Sequence, residues 1–249
     1  MVTSHPLHEE DIIVIRYIDS KKMGRGRNGW LDSHFHFSFA DYYNPLNMQF
    51  GVLRVLNDDM VQPGTGFDTH PHANMEIISY VIDGELTHAD SMGNRHALTR
   101  GQVQYMSAGT GVSHSEHNYG TDMLRFLQIW ILPDKKGVTP NYGDYRFAFA
   151  DRENKWLPIA ADIANIQSSA PIKIHADINV YAAVASSGCP MEFPILPERQ
   201  AYLVMIEEKA VINGITMNTR DALEIIEEKI IIEPDGNAHM LVIEMAKYA

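Results

Sequence analysis

The sequence is poor in cysteine, in basic charge and in long apolar runs, and each shortage removes a class of protein. One cysteine, Cys189, in 249 residues cannot close an intrachain disulfide, so a disulfide-built secreted scaffold is excluded. No segment reads as a signal peptide or approaches the roughly 20 apolar residues of a membrane-spanning helix, so the expected home is a reducing cytoplasm, with no membrane partner. Lys and Arg number 20 against 32 Asp and Glu, a formal net charge of −12. That surplus repels a phosphate backbone, and direct nucleic-acid binding is not expected. The densest basic stretch, Lys21 to Arg27, is short and reads as a solvated loop. Cys189 has no basic neighbour or helix N-terminus to activate it, so it reads as a structural thiol. Amphipathic helix patterns are equally scarce; Asp162 to Gln167 offers a turn or two.

What the chain has is strand signal. β-branched and aromatic runs bounded by turn residues recur at Ile12 to Ile18, Met48 to Leu56, Ile77 to Ile82, Val103 to Met106 and Leu124 to Leu132. Asp83-Gly84 reads as a hairpin turn, with Gly93-Asn94 and Arg100-Gly101 as the next two turns. From about Leu132 to Ser169 prolines and glycines scatter through polar residues, marking a connection. Strand runs resume at Ile178 to Ala185, Ala201 to Ile206, Ala210 to Met217 around Asn213-Gly214, Leu223 to Ile226, Ile230 to Ile232 and His239 to Met245. The two halves share an order of strands and turns, and a duplicated β-barrel fits better than one long sheet.

Of 12 histidines, ten precede residue 118. In an extended strand residues i and i+2 share a face, so His70 with His72 and His114 with Glu116 each present two side chains together. Two such pairs facing each other make a pocket of imidazole nitrogens and one carboxylate. That donor set suits a first-row divalent metal and leaves positions open, as a catalytic site does. His34-Phe35-His36 has the same spacing but sits in an aromatic run, and reads as packing or pocket lining. His5 and His8 fall in a terminus. His88 and His96 flank a turn, where solvent exposure is expected, and alternation turns His117 away from the pocket.

Gly64-x5-His70-x-His72-x3-Glu76-x7-Gly84 and Gly101 to Asn118 resemble the two cupin motifs. Gly29-Trp30-Leu31-Asp32-Ser33, Leu53 to Asp59, Met106-Ser107-Ala108-Gly109-Thr110-Gly111, His114-Ser115-Glu116 and Gln128-Ile129-Trp130-Ile131-Leu132-Pro133 make the chain similar to the pirin family from about residue 12 to 150. The resemblance is weaker beyond. It implies an all-β bicupin: two face-to-face antiparallel β-barrels, with residues 1–135 as the metal-binding domain, 136–170 as the connection and 171–249 as a cupin-like domain without ligands. The family's metal ligands fall on His70, His72, His114 and Glu116, while Glu76, at the general cupin carboxylate position, becomes a pocket or supporting residue. Pirins commonly carry Arg where this chain has Ala73, and Gly-Asp where it has Gly101-Gln102; neither departure removes a ligand.

Similarity to bacterial pirins of the quercetin 2,3-dioxygenase type implies a flavonol-like aromatic substrate and O2. The metal is expected to be iron, with manganese, nickel, cobalt, copper and zinc as alternatives. Glu116 is the candidate catalytic base. Similarity to eukaryotic pirins implies a different reading, an iron-dependent redox-responsive regulator that binds a protein partner. A monomer is expected, since two barrels can cover each other's apolar faces.

Overall fold

The computed structural model describes residues 14–247, which leaves His5, His8 and the start of the first expected strand outside the described residues. Period-two patterning dominates. Val112 to Asn118 alternates buried and partly exposed side chains at every residue, the mark of a strand with one face on a core. In chain order the strands are β1 (Ile15–Ile18), β2 (Gly24–Arg27), β3 (Leu31–Phe35), β4 (Leu53–Val61), β5 (Thr65–His72), β6 (Glu76–Asp83), β7 (Leu86–Asp90), β8 (Arg95–Leu98), β9 (Val103–Ser107) and β10 (Val112–Asn118). They continue with β11 (Leu124–Ile131), β12 (Asn141–Tyr145), β13 (Leu157–Asp162), β14 (Ile172–Ile174), β15 (Ile178–Ala185), β16 (Met191–Phe193), β17 (Arg199–Ile212), β18 (Ile215–Met217), β19 (Ala222–Ile226) and β20 (Ile230–Ala246). Two single-turn 3-10 helices, Ser20–Lys22 and Phe149–Arg152, are the helical content among the described residues, none of which forms a helix able to cross a membrane. The all-β expectation holds. Asp162 to Gln167 forms turns instead of helix, because the Asp162 side chain accepts from the Ala164 N–H and competes with helical bonding.

Three sheets result. In the first half a seven-stranded sheet, β12-β9-β6-β11-β4-β3-β2, faces a four-stranded sheet, β5-β10-β7-β8. The second half follows β1-β19-β17-β20-β15-β13-β14, with β16 on β20 and β18 on β17. The strands pair antiparallel throughout, apart from β13 with β14. The segment 136–170 contains β12, which pairs with β9, and β13, which pairs with β15, while β1 from the start of the chain pairs with β19. Lys21 to Arg27 is only partly loop: Gly24 to Arg27 form β2, whose Gly-x-Gly carries no strand propensity and is held by its register on β3.

Asp83-Gly84 is a turn but not a hairpin. β6 pairs with β9 and β11, whereas β7 pairs with β8 and β10, so the chain passes here from one sheet to the other. Turn chemistry reports positive φ, which Gly84 has at 76°, and not which strands pair. A Cβ on Gly84 would also lie 2.7 Å from the Leu124 backbone.

The two large sheets pack face to face. Leu56, Ile78, Tyr80, Leu127 and Ile129 from the first half share one buried cluster with Val180, Tyr202, Val204, Leu241 and Ile243 from the second. Polar ties cross it. Asp58 is 1% exposed and takes Arg125 from its own half and Arg220 from the other. Tyr80 Oη meets His239 Nε2 at 2.8 Å, and in the opposite sense His36 Nδ1 meets Tyr202 Oη at 2.9 Å. Cys189 is exposed and packs in no core, contrary to its reading as a structural thiol.

Candidate metal centre

Register places the site. On the small sheet β10 lies between β5 and β7, and His114 stands opposite His70 on one side and Asp90 on the other. A shift in register then brings Glu116 opposite Phe67 and His88. Such a bulge re-aims side chains at the point where the ladder slips. The rings of His70, His72 and His114 lie 4.7 to 4.9 Å apart, centroid to centroid, and their nitrogens gather within 4.8 Å of one another. Glu116 shares an equally tight trio with His114 and His88. The four residues singled out from the sequence therefore converge, with His114 common to both groups.

His72 Nε2 and His114 Nδ1 are buried without a hydrogen-bond partner among the described residues. Orphaned buried nitrogens are costly unless something binds them. Burial and the neighbouring imidazoles push His72 down to about 4 and His114 to about 3, so both are neutral at physiological pH, the form that ligates a metal. His70 Nδ1 lies 2.7 Å from the Asp68 carbonyl oxygen, which orients its ring. A divalent transition metal fits this donor set of nitrogens and one carboxylate oxygen.

Glu116 is held by neutral donors. Ser79 Oγ and Gln104 Nε2 each donate to its Oε1 at 2.7 Å, and Gln128 Nε2 donates to its Oε2. These side chains form a cross-strand row on the large sheet: Gln104 on β9 stands opposite Ser79 on β6, which stands opposite Gln128 on β11, which stands opposite Asn57 on β4. Nothing local in the sequence linked these positions, because the row is assembled by register alone.

His88 is the main residue the sequence reading misplaced. Instead of facing solvent beside a turn it is fully buried, 3.1 Å from Asp90 Oδ2, and stacked on Tyr142 at 4.4 Å. Leu86, His88 and Asp90 share a face at period two, and that alternation was the available signal. His96 does lie at the surface, beside Asp144, and His117 takes the outer face of β10, stacked on Tyr119. Phe35 lines the cavity described below, whereas its neighbour His36 is buried at the interface with the other half. Glu76 accepts from Ser107 Oγ on the face of β6 that it shares with Ile78 and Tyr80. It therefore points away from the barrel interior and is not part of the pocket.

A cavity of about 780 Å³ opens beside His70 and Glu116. Trp30, Phe35, Phe39, Tyr42, Phe67 and Trp130 supply its apolar wall. β2 completes that wall: a Cβ on Gly24 or Gly26 would collide with the Tyr42 or Phe35 ring, so glycine is what lets those rings sit against the strand. Arg25 and Arg27 line the same cavity and are both paired with Asp32.

Two barrels packed face to face, one of them carrying imidazoles and a carboxylate around a cavity, define a bicupin with a candidate metal centre. A family model, Pirin, matches residues 18–131, and a second, Quercetinase C-terminal cupin domain, matches residues 163–245. A pirin-like protein of Caulobacter vibrioides is 40% identical over 84% of this chain and 90% of its own length. A quercetin 2,3-dioxygenase of Escherichia coli K12 is 38% identical over 91% of this chain and 96% of its own length. The chain belongs to the pirin family. Among solved structures, the bacterial pirin YhhW from Escherichia coli in complex with nickel(II) superposes with a TM-score of 0.86 at 37% identity, over 93% of this chain and 99% of that one.

Proposed function

We propose that the first barrel is the active site of a metal-dependent dioxygenase for flavonol-like aromatic substrates, with His70, His72, His114 and Glu116 as the ligands of one divalent metal, iron first among the alternatives. The observation that carries this reading is the cavity itself. Its wall of aromatic rings matches a planar aromatic, and it opens on His70 and Glu116. Two buried polar atoms on residues that line it, the Asn57 Oδ1 acceptor and the Trp130 Nε1 donor, have no hydrogen-bond partner among the described residues.

When bound, the metal supplies a Lewis acid and a template for the substrate oxygens and O2. The chain's own part is to hold the ligands and exclude water. Ser79, Gln104 and Gln128 fix Glu116, the Asp68 carbonyl fixes His70, and Phe39 packs edge-on against Trp130, which in turn meets His72. Similarity to proteins named quercetin 2,3-dioxygenase makes quercetin the probe of choice.

The test is to load the protein with iron, manganese, nickel, cobalt or copper in turn and follow quercetin absorbance with and without O2. Loss of the flavonol band that requires both metal and O2 is the expected result. Absence of oxygen-dependent turnover with every metal overturns the proposal.

A further inference from the structure

A flavonol binds a metal best as its anion, so a phenolic proton has to be taken up inside the cavity. Glu116 is the obvious acceptor by position, yet its oxygens are occupied. A carboxylate offers roughly four lone-pair sites. Three of those on Glu116 accept from Ser79, Gln104 and Gln128, and ligating a metal would use another. Protonating Glu116 would break one of these interactions for every proton taken.

Two further carboxyls border the same cavity, Asp41, which is exposed, and Asp59, which is buried. Asp59, two residues beyond Asn57 on β4 and on the same face, is 3% exposed. Its Oδ1 accepts from Ser33 Oγ on β3, and its Oδ2 accepts no hydrogen bond from the described residues. No cation among the described residues is paired with it. Arg25 and Arg27 on β2 are taken by Asp32, and Arg125 and Arg220 are taken by Asp58 on the opposite face of β4. The charged group that faces it from the small sheet is Glu116, of the same sign.

We propose that Asp59, and not Glu116, accepts the phenolic proton of the bound substrate. The assignment rests on the flavonol reading above. The O–H bond breaks, its electron pair stays on the phenolate oxygen, and the proton passes to the free Oδ2 of Asp59, giving a carboxylic acid; no oxidant takes part. Ser33 keeps Oδ1 occupied and so presents Oδ2 to the cavity. Burial raises the Asp59 carboxyl above its ordinary range, toward where a general base works best at neutral pH.

The test uses the metal-loaded protein with quercetin under anaerobic conditions. The absorption band of the bound ligand reports whether it is neutral or anionic, and metal content is measured in parallel. Wild type is expected to show the anion at a pH below that at which free quercetin ionises. Asp59→Asn is expected to keep its metal and bind quercetin in the neutral form. In air its turnover at pH 7 should fall about 100-fold, the scale of general-base catalysis, and recover as the pH rises through the ionisation of the substrate. Ser33→Ala, which removes one donor to the carboxylate and makes it a stronger base, should move the onset of the anion band to lower pH. An anion band and a pH profile unchanged in both variants overturn the role of Asp59 while leaving the flavonol reading in place. Wild-type protein that does not bind quercetin overturns both.

Discussion

In the first half the large sheet runs β12-β9-β6-β11-β4-β3-β2, and in the second the corresponding path is β1-β19-β17-β20-β15-β13-β14. The small sheets correspond too, with β5-β10-β7-β8 matched by β16 on β20 and β18 on β17. Two differences stand out. In the first half the chain breaks between β6 and β7 and between β10 and β11, whereas β17 and β20 run on for 14 and 17 residues, with β17 passing two shifts of register against β20. Where β5 and β10 bring His70 opposite His114, β16 and β20 bring Met191 opposite Ile232 and Phe193 opposite Ile230, all in one apolar cluster. The same scaffold is thus filled with core in one barrel and left hollow and polar in the other. A hollow lined by unpartnered imidazoles lowers stability, and close packing of the second barrel against the first offsets it.

The largest effect comes from exchanging what the two barrels can lose. His114→Ala should reduce metal content to below about a tenth of wild type and oxygen-dependent quercetin turnover by at least about 1000-fold. With both proteins compared metal-free, its urea midpoint should move much less than that of Ile232→Ala, because the hollow around it holds little apolar packing. Ile232→Ala, on the matching strand of the second half, should do the reverse: a loss of about 4 kcal/mol in unfolding free energy, the usual scale for emptying a buried aliphatic site, with metal content unchanged. Elemental analysis and urea unfolding read both. Metal lost in Ile232→Ala would show that the halves do not divide these tasks.

A smaller effect tests whether the halves unfold as one body. The Asp58 carboxyl is buried, but hydrogen bonds and charge from Arg125 and Arg220 outweigh that burial and hold it below its ordinary range. Arg125 also donates to the Ile206 carbonyl oxygen in the other half, so these groups clamp the interface. Asp58→Ala leaves both arginines unpaired and should cost about 3 kcal/mol, the low end for breaking a buried pair, since both guanidiniums reach solvent. Calorimetry should then show two transitions in place of one. A single, unshifted transition would mean that the apolar interface alone couples the halves.

Much of this was legible in the sequence, and the failures have a common cause. His70, His72, His114 and Glu116 declared themselves by i, i+2 spacing, because strand alternation is local. The aromatic run around Phe35 reads as packing or pocket lining, but nothing local joins Trp130 to it. His88 escapes a local reading because the nearby turn suggests exposure where alternation buries the side chain, and Asp83-Gly84 reads as a hairpin because turn residues do not say which strands meet. Asp59, Ser33 and the row Gln104, Ser79, Gln128 and Asn57 were out of reach. The residues that face each other are separated by 25 to 71 residues and made neighbours only by register, which depends on the whole sheet.

The smallest effect concerns the two Tyr–His pairs that cross the interface in opposite senses, His36 with Tyr202 and Tyr80 with His239. Burial pushes His36 from its ordinary 6.5 down to about 3. The folded state therefore holds His36 neutral while the unfolded chain takes up a proton as the pH falls below 6.5. Stability is lost through that window, by about 1.4 kcal/mol per pH unit from this one group, and is unaffected above it. His36→Gln retains a donor and an acceptor for the Tyr202 hydroxyl but does not titrate, so urea unfolding between pH 6 and 4 should show a slope flatter by about that amount. His239 is also lowered by burial, but the Glu207 carboxylate at 2.7 Å opposes the shift, so His239→Gln should flatten the slope less. Equal slopes in the two variants would mean that the interface treats both imidazoles alike and that Glu207 does not distinguish them.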